Sequence, residues 1–167
     1  MDLYFLKYDF KEEMRKNIYS WQEISFGLMH KIITVDDVIA YATYIINENT
    51  MGFDIVLKIT CLRSDEDIYP YLQELIELEE CQDIGGIKER WLYLILKWLY
   101  EKRNDNESAI KIVEDIYELF GYPDSITSFV RYMPSETGDL GSLELNRERL
   151  FRNWADYLEE YEENHSF

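Results

Sequence analysis

Proline and glycine are scarce in this 167-residue chain, at three and seven residues, which disfavours a turn-rich β-sandwich or barrel. The two cysteines, Cys61 and Cys81, lie far apart with no CxxC or nearby histidine pattern. That excludes a disulfide framework and reads each thiol as a small hydrophobe in an apolar niche. Bases are half as numerous as acids: 17 Lys and Arg against 34 Asp and Glu leave a net charge of −17. A chain so short of bases lacks the footprint that double-stranded nucleic acid requires, and an anionic membrane surface repels it. No long apolar run exists either. The most apolar window, "WLYLILKWLY" (91–100), is about half the length of a membrane span. The opening "MDLYFLKYDFKEE" has no basic n-region and Lys7 interrupts its apolar residues, so it does not read as a signal peptide. The expectation is a cytoplasmic protein.

What is abundant is apolar and aromatic surface. The chain is 47% hydrophobic, with 14 Tyr, 8 Phe and 4 Trp, whereas a disordered acidic chain would carry few aromatics. Its length suits one domain, residues 1–167, with a sizeable core. The local signals are helical nearly throughout. Residues 1–19 are ambiguous between an arm, a short strand and a short helix. Ser20 and Glu23 form an S-x-x-E capping box that opens a helix to about residue 31. Thr34 caps the next, with Asp36 and Asp37 in its first turn and a stripe through Val35, Val38, Ile39, Ala42, Ile45 and Ile46. "FDIVLKITCL" (53–62) is rich in β-branched residues that suit a strand, yet helices flank it and it reads as a buried helix.

A further helix starts within Ser64–Asp67, where Pro70 is tolerated in the first turn. Ile68, Leu72, Leu75, Ile76 and Leu78 face inward, and Glu66, Gln73, Glu77 and Glu80 outward. The segment 87–103 is apolar nearly all round and reads as central. Asn106 is a cap for 107–120, whose inner stripe is Ile110, Val113, Ile116, Tyr117 and Phe120. Gly121 and Pro123 stop that helix, and Asp124 caps a single turn through Val130 that lays Phe129 on the core. After a polar linker at 135–142, Leu150, Phe151, Trp154, Tyr157, Leu158 and Tyr161 make one stripe of a last helix. The fold expected is all-α: an irregular domain of about seven or eight helices, with antiparallel packing of neighbours where connections are short. No sequence period supports a solenoid.

Catalytic constellations are missing from the sequence. His30 ends a helix, where imidazolium suits the dipole, and His165 lies in a frayed tail; neither has a positioned partner pattern. No Gly-rich phosphate loop, G-x-S-x-G, HExxH or EF-hand spacing occurs. Adjacent carboxylates such as Asp36–Asp37 and Glu79–Glu80 diverge on a helix and build no shared site. Glu162-x-x-His165 has metal-ligand spacing but only one copy. The reading is therefore not an enzyme, with no cofactor and no metal; a carboxylate–metal enzyme is the remote alternative.

Clustered acid is the functional hint. Residues 61–84 hold eight acids and one base, and "DYLEEYEENHSF" (156–167) adds five acids with no Lys or Arg. Glu159, Glu160, Glu162 and Glu163 sit in the last turns of a helix, where the dipole disfavours them by about 0.3–1 kcal/mol each. With Tyr157 and Tyr161 interleaved, they form an acid-plus-aromatic surface suited to a cation-rich partner. The candidate partner-binding residues are Glu66, Asp67, Glu74, Glu77 and Glu80 in one set, and Glu159, Glu160, Glu162 and Glu163 in the other. A solvated, merely solubilising face explains the same charges equally simply.

"KERWLYLILKWLYEKR" followed by "VEDIYELFGYPDSITSFVRYMP" resembles the bacterial family called domain of unknown function 2247. The residues carrying the resemblance are Tyr117, Phe120, Tyr122 and Pro123, then Phe129, Val130, Tyr132, Met133 and Pro134; "SWQEISFGLMHKIITVDDVIAYA" adds to it. The resemblance brings no catalytic residue or cofactor. Small acidic bacterial proteins of this kind are similar to immunity proteins that neutralise a toxin by direct binding, and electrostatic steering to a basic toxin domain fits that logic. The alternative is a helical adaptor whose partner docks on aromatic surface such as Trp21, Tyr122 or Tyr132.

Overall fold

The computed structural model describes residues 7–103, 107–135 and 137–165. Among them it places eight α-helices and one 3-10 helix, and no strand. Their contacts divide the chain into two compact units, Met1–Trp91 and Leu92–Phe167, with the division inside one long helix.

The first unit begins with α1 (Phe10–Glu13), capped by Asp9, whose carboxylate accepts from the Glu12 amide. Residues 1–6 of the ambiguous opening lie outside the described residues. α2 (Trp21–Met29) and α3 (Val35–Ile45) start at capping boxes, Ser20 with Glu23 and Thr34 with Asp37. α4 (Phe53–Thr60) makes 53–60 of the 53–62 segment helix, but an amphipathic one: Val56 and Ile59 are buried while Leu57 is exposed. α5 (Tyr69–Ile76) begins later than Ser64–Asp67, because Pro70 sits at its start and the residues before it form turns. α3 packs on α4, and α5 packs on both α4 and α2.

Phe10, Tyr19, Trp21, Tyr41 and Trp91 gather in an aromatic core, with Tyr19 and Trp91 stacked at 5.5 Å. The Tyr41 hydroxyl donates to the Tyr19 carbonyl at 2.7 Å and accepts from the Tyr19 amide at 2.9 Å. Gly27 permits the close approach of α2, since a Cβ there would meet the Trp91 ring at 2.6 Å. Trp21 is thus buried and unavailable as an exposed docking aromatic. Leu78 is exposed rather than inward, because α5 ends at Ile76 before the stripe reaches it. Both cysteines are exposed, at the C-cap of α4 and in the turn before the next helix, so neither fills an apolar niche.

α6 (Ile84–Lys102) is the long helix; Trp91 to Leu96 are six consecutive buried residues, as an all-round apolar helix demands. In the second unit α7 (Glu107–Leu119) buries Ile110, Val113, Ile116 and Tyr117. The expected cap Asn106 lies outside the described residues. α7 closes in a Schellman motif: the Tyr122 amide reaches the Tyr117 carbonyl at 2.8 Å, the Gly121 amide reaches Glu118 at 3.0 Å, and Gly121 has φ +76°. The next turn is a 3-10 helix, Asp124–Phe129, entered from Pro123. Its N-cap is Pro123 rather than Asp124, which is the first residue of the turn, and no side-chain cap bond is made there. Phe120 and Phe129 are each 1% exposed, and Phe129 stacks on Trp154 at 5.8 Å.

α8 (Leu143–Asn164) opens at the Ser142 cap and buries Leu150, Trp154 and Leu158. The linker before it is pinned: Arg149 donates to the Thr137 hydroxyl and the Gly138 carbonyl, and Asn146 donates to Asp139 at 2.6 Å. No helix among the described residues is long and apolar enough to cross a membrane.

Candidate functional site

The two acidic sets fall in different units, and the fold uses them differently. In the first unit, Glu66 accepts from the Arg63 amide at 2.7 Å and Asp67 from the Tyr69 amide at 3.1 Å. Both therefore shape the turn that delivers α5. Glu79 points inward and accepts from the first two amides of α2, Trp21 at 2.7 Å and Gln22 at 3.1 Å. A carboxylate at a helix N-terminus satisfies orphan donors and meets the positive dipole end. Gln22 completes the clamp, donating to the Glu80 carbonyl at 2.7 Å and accepting from the Gln82 amide at 2.9 Å.

What stays on the surface is a smaller group. Glu74 and Glu77, three residues apart, share a face of α5, and Glu80 is exposed just past its end. Glu77 accepts from Gln73 at 3.2 Å. Two large apolar side chains, Tyr69 and Leu78, are about half exposed in the same segment, at 48% and 47%.

In the second unit, Glu159, Glu160 and Glu163 are exposed on the last turns of α8. Glu162 is engaged within the unit. It accepts from the Lys97 ammonium at 2.6 Å and from the Tyr93 hydroxyl at 2.7 Å. The lysine bond, then the tyrosine bond, hold this carboxyl below its ordinary range. Burial, then the bond to Glu162, pushes the Tyr93 hydroxyl up to about 12. Burial opposes the charge on Lys97, yet its bonds to Glu162 and Tyr93 outweigh that and raise it. Tyr161 lies between two rings, Tyr93 at 4.1 Å and His165 at 4.1 Å, so the interleaved aromatic of this set is stacked rather than bare.

His165 caps α8, its ring nitrogen 2.9 Å from the Tyr161 carbonyl. His30 is the C-cap of α2 and lies against Phe26, and burial lowers its pKa. Among the described residues no group of three or more His, Cys, Asp and Glu side chains is placed to hold a metal ion.

Glu23 is buried and caps the Ser20 amide at 2.8 Å as its spacing predicts, but sequence reasoning missed its ion pair with Arg90, from which it accepts at 2.9 Å. Arg90 also donates to the Ile18 carbonyl at 2.6 Å. No local spacing signals a partner 67 residues away.

Comparison with known proteins gives one match. The family model for uncharacterized proteins conserved in bacteria (DUF2247) covers residues 10–162. No curated protein and no solved structure matches the chain.

Proposed function

For a chain that belongs to the DUF2247 family of bacterial proteins, we propose a cytoplasmic, non-enzymatic role: binding a basic protein partner, in the manner of an immunity protein that neutralises a toxin domain. The observation that carries this reading is the α5 segment. Glu74, Glu77 and Glu80 stay exposed beside the half-bare Tyr69 and Leu78, while neighbouring Glu79 is drawn into a structural bond. Acid with apolar surface is what a cationic interface needs, since charge steers encounter and buried apolar area holds the complex. Of the C-terminal set, Glu159, Glu160 and Glu163 join the acidic field, and Glu162 serves the fold.

The test uses as binding probe the basic protein that co-purifies with this chain in a pull-down from its native cell. Glu74→Lys/Glu77→Lys/Glu80→Lys is expected to weaken the complex at least tenfold, and the parent affinity to fall steeply with salt. Affinity indifferent to both would sink electrostatic recognition. A second reading has its own observation: Tyr122 and Tyr132, 56% and 58% exposed, flank the buried Tyr117 ring at 5.3 and 6.1 Å. A helical adaptor docking there would lose its partner on Tyr122→Ser/Tyr132→Ser and show little salt dependence.

A further inference from the structure

Between α7, a strap formed by residues 131–135 and 137–139, and the first turns of α8 lies a cleft of about 730 Å³, within the size range of small-molecule sites. Ile110, Met133, Leu143 and Leu150 supply apolar lining, and Leu143 is 90% exposed. A leucine so bare at the mouth of a cleft has no role in this unit's core.

Three guanidinium groups share the lining, and two of them are occupied. Arg131 makes paired bonds to Glu114 at 3.0 and 3.2 Å, and Arg149 pins the strap through Thr137 and Gly138. The third, Arg147, is half-buried and makes no hydrogen bond or ion pair among the described residues. The two carboxylates of the lining leave it so. Asp139 accepts from Asn146 and from the Gly141 amide, and Glu144 does not reach Arg147 although it precedes it by one turn. A partly desolvated guanidinium without an acceptor is unfavourable.

We propose that this cleft binds a small amphipathic carboxylate: an acid group on Arg147, and an apolar chain along Leu143, Met133 and Leu150. The neighbouring arginines supply field without competing for the ligand, because their own bonds are filled. Residues 137–139 of the strap are tied to α8 by Arg149 and Asn146. The site is independent of the α5 face and stands or falls separately from it.

Octanoate is the probe, with octanol and acetate as controls, followed by amide NMR shifts across 143–150 and by calorimetry. Saturable octanoate binding is expected, with octanol and acetate each at least tenfold weaker. Arg147→Gln should weaken octanoate about 10–100-fold, the loss of one charge-assisted hydrogen bond, and Arg147→Lys should recover part of it. Arg147 makes no hydrogen bond or ion pair among the described residues, so the fold should be unchanged by circular dichroism. Octanol binding as tightly as octanoate, acetate doing the same, no octanoate binding in the millimolar range, or an Arg147→Gln variant of parent affinity would each overturn the proposal.

Discussion

Lys31 occupies a backbone position that lysine does not favour. α2 ends in the same 6→1 and 5→2 bonding as α7, with Ile32 reaching the Gly27 carbonyl at 2.8 Å and Lys31 reaching Leu28 at 3.1 Å. The C′ residue of that motif is left-handed: Lys31 has φ +54°, where α7 uses Gly121 at +76°. A side chain in this region costs about 1–2 kcal/mol, offset in part by the unfolded-state entropy that glycine adds, about 0.5–1 kcal/mol. Lys31→Gly should therefore stabilise the protein by about 0.5–1 kcal/mol, whereas Gly121→Ala should destabilise it by a similar amount or more. Urea titrations of both variants check the pair. Equal midpoints would mean that strain at Lys31 is relieved elsewhere.

The elements divide into those whose cause is local and those whose cause is distant. The capping box at Ser20, the cap at Thr34 and the stop at Gly121 were legible because every partner lies within six residues. The role of Glu79 was not legible, since its partners are the first amides of α2, some 58 residues away. α8 shows how a distant bond alters chemistry. The lowered carboxyl of Glu162 contributes stability above its ordinary pKa, and that is lost as pH falls through the lowered value. Tyr93 acts at the opposite limb. Between its ordinary value near 10 and about 12 the native chain keeps a proton that the unfolded chain releases, so stability declines as pH rises through that window. Tyr93→Phe should make the decline shallower and cost about 1 kcal/mol at neutral pH, from one hydrogen bond on a half-exposed carboxylate. Tyr8, Tyr19 and Tyr41, all raised by burial, keep the slope from vanishing. Denaturant titrations at pH 8, 10 and 11 decide it; identical slopes in parent and variant would refute the assignment.

At the scale of the whole molecule, −17 charges repel one another in the native state more than in an expanded chain. Salt must then act in opposite senses on the two properties that matter: screening steadies the fold and weakens the capture of a basic partner. The last turns of α8 concentrate the first effect, because Glu159, Glu160 and Glu163 meet both their neighbours and the negative helix end. The unfolding midpoint should rise by a few degrees as NaCl goes from about 0.02 to 0.5 M, following the contraction of the screening length. Glu159→Lys/Glu160→Lys should raise the low-salt midpoint and shrink the salt-induced rise, leaving the high-salt value nearly unchanged. Calorimetry at the two salt levels distinguishes this from general salting-out, which would lift parent and variant alike. A parent midpoint that falls with salt would mean that attractive pairs such as Lys97–Glu162 and Arg131–Glu114 dominate the charge energy instead.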